Sequence, residues 1–209
     1  MPDEYDHSVF MNCPFDAAYR KLFHAIIFTV HDCGCIARSA LEMSDASQVR
    51  VNKILEIISQ CRLGIHDISR TELDRKSRLP RFNMPLELGM FLGAKQYGDE
   101  IQRRKVCLVL DRSPYRYQRF CSDIAGQDIA AHNRKVPAAI AAVRDFLRSA
   151  KSADVLIPGA ARIHQRYLDF SATIPALCRA LGQKKDKLTF RDYTAFVARW
   201  LKHHAVPSA

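Results

Sequence analysis

Short apolar runs alternate with helical patterns through the first 111 residues, and this alternation constrains the fold more than any other feature. Four runs are predicted strands, at residues 7–12, 33–38, 62–69 and 104–111. Between the first two runs, apolar residues from Tyr19 to Val30 recur at helical spacing. Strands separated by helices predict a parallel sheet covered on both faces. Right-handed crossovers predict a flavodoxin-like α/β fold, in which strand 2 lies outside strand 1.

The alternation stops after Asp111. The polar segment 112–133 is long for a compact domain, and we expect it to fold over the substrate pocket as a lid or wall. Residues 1–150 are therefore predicted to form a flavodoxin-like nucleotide-binding domain, and residues 151–209 a C-terminal helical extension. The last helix of this extension is predicted to start at Thr189, with Asp192 completing a capping box.

Two further helices carry apolar faces whose burial can be predicted. The helix from about Ser47 is expected to turn four residues inward, namely Val51, Ile54, Leu55 and Ile58. The last helix presents a stripe of Phe190, Tyr193, Val197 and Trp200. This stripe either packs on the parent domain or mediates self-association into a homo-oligomer.

The helix predicted over residues 83–95 follows a polar loop, 70–82, and carries one carboxylate near its start. Pro85 suits the first helical position, which places Glu87 in the first turn. Gly89 and Gly93 lie four residues apart and are expected to let a strand backbone come close. Glu87 either caps the helix or supplies a carboxylate to a site above the sheet.

Polar residues stand at the carboxyl ends of the predicted strands, where parallel sheets gather their functional groups. They are Asn12, Arg38, Asp67, Ser69 and Asp111. Asp67 is expected either to hydrogen-bond a ribose or base edge or to cap a loop. Arg38 either meets a phosphate or pairs with Glu42. His66, on the opposite side of its strand from Asp67, is interpreted as a core or interface histidine.

Composition limits the classes of partner and compartment. The net charge of +10 favours anionic partners, but the basic residues are spread along the chain, so nucleic-acid binding rests on charge alone. The seven cysteines do not form zinc-binding pairs, and we expect free thiols, no metal and a cytoplasmic protein without membrane contact. The sequence lacks a Gly-rich phosphate loop, which argues against a nucleotide triphosphatase or a dehydrogenase.

Three features together resemble the nucleoside 2-deoxyribosyltransferase family and the wider set that includes Toll/interleukin-1 receptor (TIR) domains. The first strand ends in Asn-Cys-Pro-Phe-Asp at residues 12–16, Asp67 ends the third strand, and Glu-Leu-Gly at residues 87–89 lies at a helix start. The resemblance covers roughly the first 130 residues. Enzymatic TIR domains cleave NAD, so the resemblance implies a nucleotide substrate and a place in bacterial defence or signalling.

The resemblance also implies roles for individual residues. Glu87 matches the family glutamate that attacks the anomeric carbon or stabilises positive charge there, and Asp67 matches the aspartate that contacts base or sugar. Six residues before Glu87, where the transferase usually has an aspartate, this chain has Arg81, and Asn83 stands where a glycine is usual. These departures disfavour free nucleosides and suit a phosphorylated ligand.

The expected chemistry is cleavage or transfer at a nucleotide N-glycosidic bond, with Glu87 catalytic, NAD-type dinucleotides as substrates and no cofactor. A carboxylate can stabilise the oxocarbenium-like sugar that forms as the bond breaks. The expected substrate-binding residues are Asn12, Phe15, Arg38, Asp67, Ser69, Arg81, Asn83 and Asp111. The alternative is a non-catalytic nucleotide sensor or TIR-like assembly module.

Overall fold

A computed structural model of the chain describes residues 4–42, 45, 47–73 and 78–205. Over these residues the chain is an α/β protein. Its strands are β1 (Ser8–Asn12), β2 (Ile36–Arg38), β3 (Leu63–Asp67), β4 (Val106–Asp111) and β5 (Ile129–Ala131). Its helices are α1 (Glu4–His7), α2 (Arg20–Asp32), α3 (Arg50–Ser59), α4 (Asn83–Tyr97), α5 (Glu100–Arg103), α6 (Val136–Ser149), α7 (Ala160–Ala180) and α8 (Phe190–His203). Residues 74–77 of the predicted loop 70–82 lie outside the described residues.

The described strands form one parallel sheet in the order β2-β1-β3-β4-β5. This order confirms the predicted flavodoxin-like arrangement, with β2 outside β1. The fifth strand was not predicted. It lies inside the polar segment 112–133, where Ile129 pairs with Val109 of β4. Its three residues, Ile129–Ala131, are flanked by polar residues and do not form an apolar run like those from which the other strands were predicted.

Helices cover both faces of the sheet, and the side chains of β1 alternate between the two cores that result. Val9 and Met11 belong to a core shared with α2, α6, α7 and α8. Phe10 points to the opposite face and packs with Ile57 of α3 and Phe91 of α4. The apolar β1 run is therefore buried on both sides, as expected for a central parallel strand.

The C-terminal helices pack on α2 and share its core. The predicted capping box of Thr189 and Asp192 is present at the start of α8. The stripe of α8 is buried within the chain, and Trp200 meets Phe28 of α2 at 5.7 Å and Phe170 of α7 at 5.9 Å between ring centroids. This stripe is therefore not a free surface for self-association. The boundary at residue 150 does not separate two cores, and as a division of function it stays a prediction.

The face of α3 differs from the prediction. Ile54 and Ile58 are buried, but Val51 and Leu55 are 38% and 46% exposed. Val51 and Leu55 share one i, i+4 row of the helix, while the neighbouring row with Ile54, Ile57 and Ile58 points at the sheet.

The start of α4 also differs from the prediction. The helix begins at Asn83, so Pro85 is its third residue and Glu87 lies beyond the first turn. The predicted close approach at Gly89 and Gly93 is absent, since a Cβ there would meet nothing within 4 Å. Gly64 of β3 instead leaves room for two side chains, because a Cβ there would lie 2.7 Å from His66 Nε2 and 2.9 Å from Phe91 Cζ. No described helix is both long and apolar enough to cross a membrane.

Candidate functional site

A cleft of about 520 Å³ opens at the carboxyl end of β1. Its walls are residues 12–16, the start of α3, residues 70–73 and the start of α4. A parallel sheet gathers ligands at this edge, because its strands end there and the following loops diverge. The cleft brings together five of the predicted site residues, namely Asn12, Phe15, Arg81, Asn83 and Glu87.

Glu87 is the buried carboxylate of this cleft. Its side chain lies in the second turn of α4 and the residue is only 8% exposed. No hydrogen bond or ion pair reaches the carboxylate from the described residues. Burial raises the pKa of Glu87 to about 7, although the positive charge of Arg50 acts in the opposite direction. Glu87 is therefore close to half ionised at neutral pH.

Asn12 fixes the start of the helix that carries Glu87. Its Nδ2 donates to the carbonyl oxygen of Met84 at 2.8 Å and contacts His66 Nδ1 at 3.0 Å. An amide nitrogen can only donate, so His66 Nδ1 accepts and the ring proton lies on Nε2. Burial lowers the pKa of His66 to about 3, which keeps the ring in this neutral form. Asn12 and His66 thereby position the first turn of α4.

His66 was predicted to be a core residue and is fully buried. Its contact with Asn12 was not predicted, because the two residues lie on different strands. The pairing of β1 with β3 places Asn12 directly opposite His66. The strand alternation gave the correct side for His66, but the register that creates the contact appears only in the folded sheet.

The charged walls of the cleft are partly neutralised. Arg70 pairs with Asp16 at 3.1 Å. Glu72 accepts from Arg112 at 2.7 Å and from Arg134 at 3.0 Å. In the described parts of the chain, Arg50 and Arg81 line the cleft without an ion-pair partner. These two guanidinium groups are available to an anionic ligand.

Asp67 and Ser69 do not line the cleft, contrary to prediction. Asp67 is fully buried, and its carboxylate accepts a hydrogen bond from the Tyr19 hydroxyl. It also lies 3.0 Å from His132 Nε2 and accepts from the Ser69 backbone N–H at 2.8 Å. These donors occupy the carboxylate, so Asp67 has the loop-capping role and Ser69 is held beneath the surface with it.

Arg38 and Asp111 are likewise outside the cleft. Arg38 donates to Glu42 at 2.9 Å, which is the alternative that its spacing allowed. Asp111 is buried, and its Oδ1 accepts from Arg116 Nη2 at 2.5 Å and from the Arg112 N–H at 2.6 Å. Both charged groups are paired with residues nearby in the chain, so neither is available to a ligand in the cleft.

The segment 112–133 is not the predicted lid or wall, since none of its residues lines the cleft. It closes over Asp111 instead, with short 3₁₀ turns at Arg116–Arg119 and Ser122–Ile124. Its effect on the cleft is indirect, because Arg112 holds Glu72 of the wall.

The described residues hold no group of three or more His, Cys, Asp or Glu side chains that could bind a metal ion. Comparisons of the chain with protein-family models, with curated proteins and with solved structures find no match.

Proposed function

We propose that the protein cleaves, or transfers at, the N-glycosidic bond of a nucleotide, with Glu87 as the catalytic residue. One observation carries the proposal: a buried carboxylate without a partner among the described residues faces a cleft that also holds Arg50 and Arg81. A buried charge without a partner lowers stability, so it is most often kept where a reaction uses it.

The reaction requires stabilisation of the positive charge that develops on the sugar. As the bond between the sugar C1′ and the base nitrogen breaks, its electron pair leaves with the base and the sugar gains oxocarbenium character. The Glu87 carboxylate stabilises this positive charge or bonds to C1′, and water or an acceptor then completes hydrolysis or transfer. A single carboxylate suffices when the leaving base is good, as a cationic nicotinamide is.

The charges of the cleft favour a phosphorylated substrate. Arg50 and Arg81 supply planar groups that bind phosphate oxygens in pairs. Together with the net charge of +10, they support an NAD-type dinucleotide over a free nucleoside. The five-stranded parallel fold agrees with kinship to deoxyribosyltransferases or TIR domains, and a role in bacterial defence or signalling forms part of this proposal.

A second candidate is a non-catalytic nucleotide sensor or assembly module. It is favoured by the position of Asp67, which its donors hold away from the cleft. The cleft thus lacks the base- or sugar-contacting aspartate that the enzymatic resemblance implies. A sensor would bind nucleotides through Arg50 and Arg81 and would not release a base.

The test compares Glu87→Gln with Glu56→Gln, a matched change on the exposed side of α3. Glu87→Gln keeps the side-chain shape but removes the charge, and we expect base release from NAD to fall by about a hundred- to a thousandfold, or about 3–4 kcal/mol of barrier. Glu56→Gln should keep the parent rate. Base release from NAD and from deoxynucleosides is measured beside thermal unfolding of all three proteins.

The outcomes separate the two candidates. A Glu87→Gln protein that folds normally and releases base at the parent rate contradicts a catalytic Glu87. A parent protein that binds nucleotides but releases no base from any of them supports the sensor. For a carboxylate that acts in its ionised form, kcat/KM should rise with pH through about 7, the pKa of Glu87.

A further inference from the structure

A second, smaller pocket lies beside the cleft, and Phe15 lines both. The second pocket has a volume of about 150 Å³ and is built by α2, the 3₁₀ turn Lys185–Lys187 and the first turns of α8. The C-terminal extension therefore reaches the ligand-binding edge of the molecule. Phe15 is a lining residue that the two spaces share, so the second pocket adjoins the cleft at this side chain.

The lining of the second pocket is aromatic. Phe15 is 39% exposed and meets Phe23 edge-on at 5.5 Å between ring centroids. Phe190 of α8 lies 6.2 Å beyond Phe23, and the His24 ring stacks on Tyr193 at 3.8 Å. A cavity of this volume is known to accept one aromatic ring. The space and its walls thus suit a planar heterocycle, which stacks on aromatic faces.

The polar groups of the pocket suit an anion beside that ring. Arg20 and Lys185 both line it, and they outnumber Asp186, the one acidic residue in its described lining. Arg20 donates to the Asp186 carbonyl oxygen at 3.3 Å, which ties α2 to the turn, while Lys185 is exposed and has no ion-pair partner among the described residues. Burial, followed by the charges of Arg20 and Lys185, lowers the pKa of His24 to about 4. His24 is therefore neutral at pH 7 and adds a hydrogen-bonding ring without a charge.

We infer that this pocket is a subsite for the second base and phosphate of a dinucleotide whose reacting half lies in the cleft beside Glu87. The inference rests on the proposed function for the reacting half and adds a substrate class and a role for α8. The heterocycle enters between Phe15 and His24, and its phosphate is held by Arg20 and Lys185. A mononucleotide that fills only the cleft forgoes these contacts.

The experiment measures binding without turnover, by isothermal titration calorimetry with AMP at low ionic strength, where charge contacts are least screened. AMP carries one base and one phosphate, and all proteins in this experiment carry Glu87→Gln so that its own N-glycosidic bond is not cleaved during the titration. Lys185→Ala should weaken AMP binding about tenfold, because one charged contact to the phosphate is lost. Lys187→Ala removes the same charge from the same turn without touching the pocket and should leave the affinity unchanged.

Two further measurements test whether AMP binds in the second pocket. Arg81→Gln removes a charge from the cleft, where AMP can also bind, so Lys185→Ala should weaken AMP binding about tenfold in the Arg81→Gln background as well. Adenosine lacks the phosphate, and its weaker binding should not respond to Lys185→Ala. Thermal unfolding of each variant checks that the fold is intact; Lys185 and Lys187 are both exposed, which favours normal folding.

The inference is overturned if AMP does not bind, if Lys185→Ala leaves its affinity unchanged, or if Arg81→Gln weakens it while Lys185→Ala does not. Failure of the proposed reaction gives a different pattern. If AMP binding follows the expected variants while no nucleotide loses its base, the reaction is wrong and the subsite stands.

Discussion

The carboxyl edge of the sheet holds two kinds of buried carboxylate that differ in their surroundings. Asp67 and Asp111 are fully buried, and both accept hydrogen bonds, Asp67 from the distant Tyr19 and Asp111 from Arg116 nearby in the chain. Glu87 is almost as buried, but the described residues provide it with no donor. Similar depth therefore gives opposite energetics, because carboxylates that accept hydrogen bonds hold loops together and a carboxylate without a donor opposes folding.

This difference in surroundings indicates which of the buried carboxylates is available to react. A carboxylate that already accepts hydrogen bonds within the chain is less available to a ligand. Glu87 faces open volume, and its pKa of about 7 shows that the charged form is poorly stabilised before a ligand arrives. A cationic group on a sugar would supply the missing partner, which is the electrostatic condition for selective stabilisation of a transition state.

Asp67→Ala tests the enclosed carboxylate and should have the largest effect. The change removes the acceptor of the Tyr19 hydroxyl and the carboxylate beside His132 Nε2, and we expect the free energy of unfolding to fall by about 3–5 kcal/mol. Urea unfolding measures the loss. Glu87→Gln is the contrast, since it should leave stability unchanged or raise it. A loss below about 1 kcal/mol for Asp67→Ala would show that its hydrogen bonds are not structural.

Much of this edge could be predicted from the sequence, and the reason is topological. The strand–helix alternation fixes a parallel sheet, and a parallel sheet brings strand ends together. Asn12 and Glu87 consequently share a cleft although they are far apart in the chain. The α8 capping box was equally predictable, because it depends on residues only three positions apart.

The role of Asp67 depended on contacts that no local pattern contains. Tyr19, just before α2, and His132, just after β5, both reach Asp67. Asp111 instead accepts from Arg116, five residues further along the chain, in the segment that was predicted to be a lid. Sequence position therefore located both carboxylates at the correct edge, but the partners of Asp67 come from tertiary packing.

The pH dependence of stability sharpens the contrast at Glu87. Its pKa rises from 4.5 in the unfolded chain to about 7 in the fold. Between these values the folded state binds more protons, so the contribution of Glu87 to stability is fully present below 4.5 and is lost as pH rises through about 7. We expect a loss on the order of 2 kcal/mol, allowing for the water that reaches the cleft.

The measurement compares two proteins, so that the contributions of the other titrating groups to stability cancel. Urea unfolding of the parent and of Glu87→Gln is compared at about pH 5 and about pH 8. The buried histidines His24, His31 and His66 titrate in both proteins and cancel in the difference. The parent should lose stability relative to the variant at the higher pH. A difference that does not change with pH would mean that the carboxylate is well solvated or partnered in solution.

Glu72→Gln tests a third arrangement, a carboxylate that has partners but is exposed, and should have the smallest effect. Glu72 holds Arg112 and Arg134 across the cleft wall, but the three side chains are 39%, 34% and 63% exposed. Water screens such pairs, so we expect the free energy of unfolding to fall by at most about 1 kcal/mol. Unlike the effect of Asp67→Ala, this loss should largely disappear at about 1 M salt.

Glu56→Gln is the control for Glu72→Gln, since Glu56 is exposed and has no ion pair among the described residues. Urea unfolding at low and high salt separates the contributions of charge and packing. A loss for Glu72→Gln above about 2 kcal/mol that persists in salt would place Glu72 with Asp67, as a buried structural carboxylate. The small, salt-sensitive loss that we expect would show that hydrogen-bond partners stabilise a carboxylate strongly at this edge only when water is excluded from them.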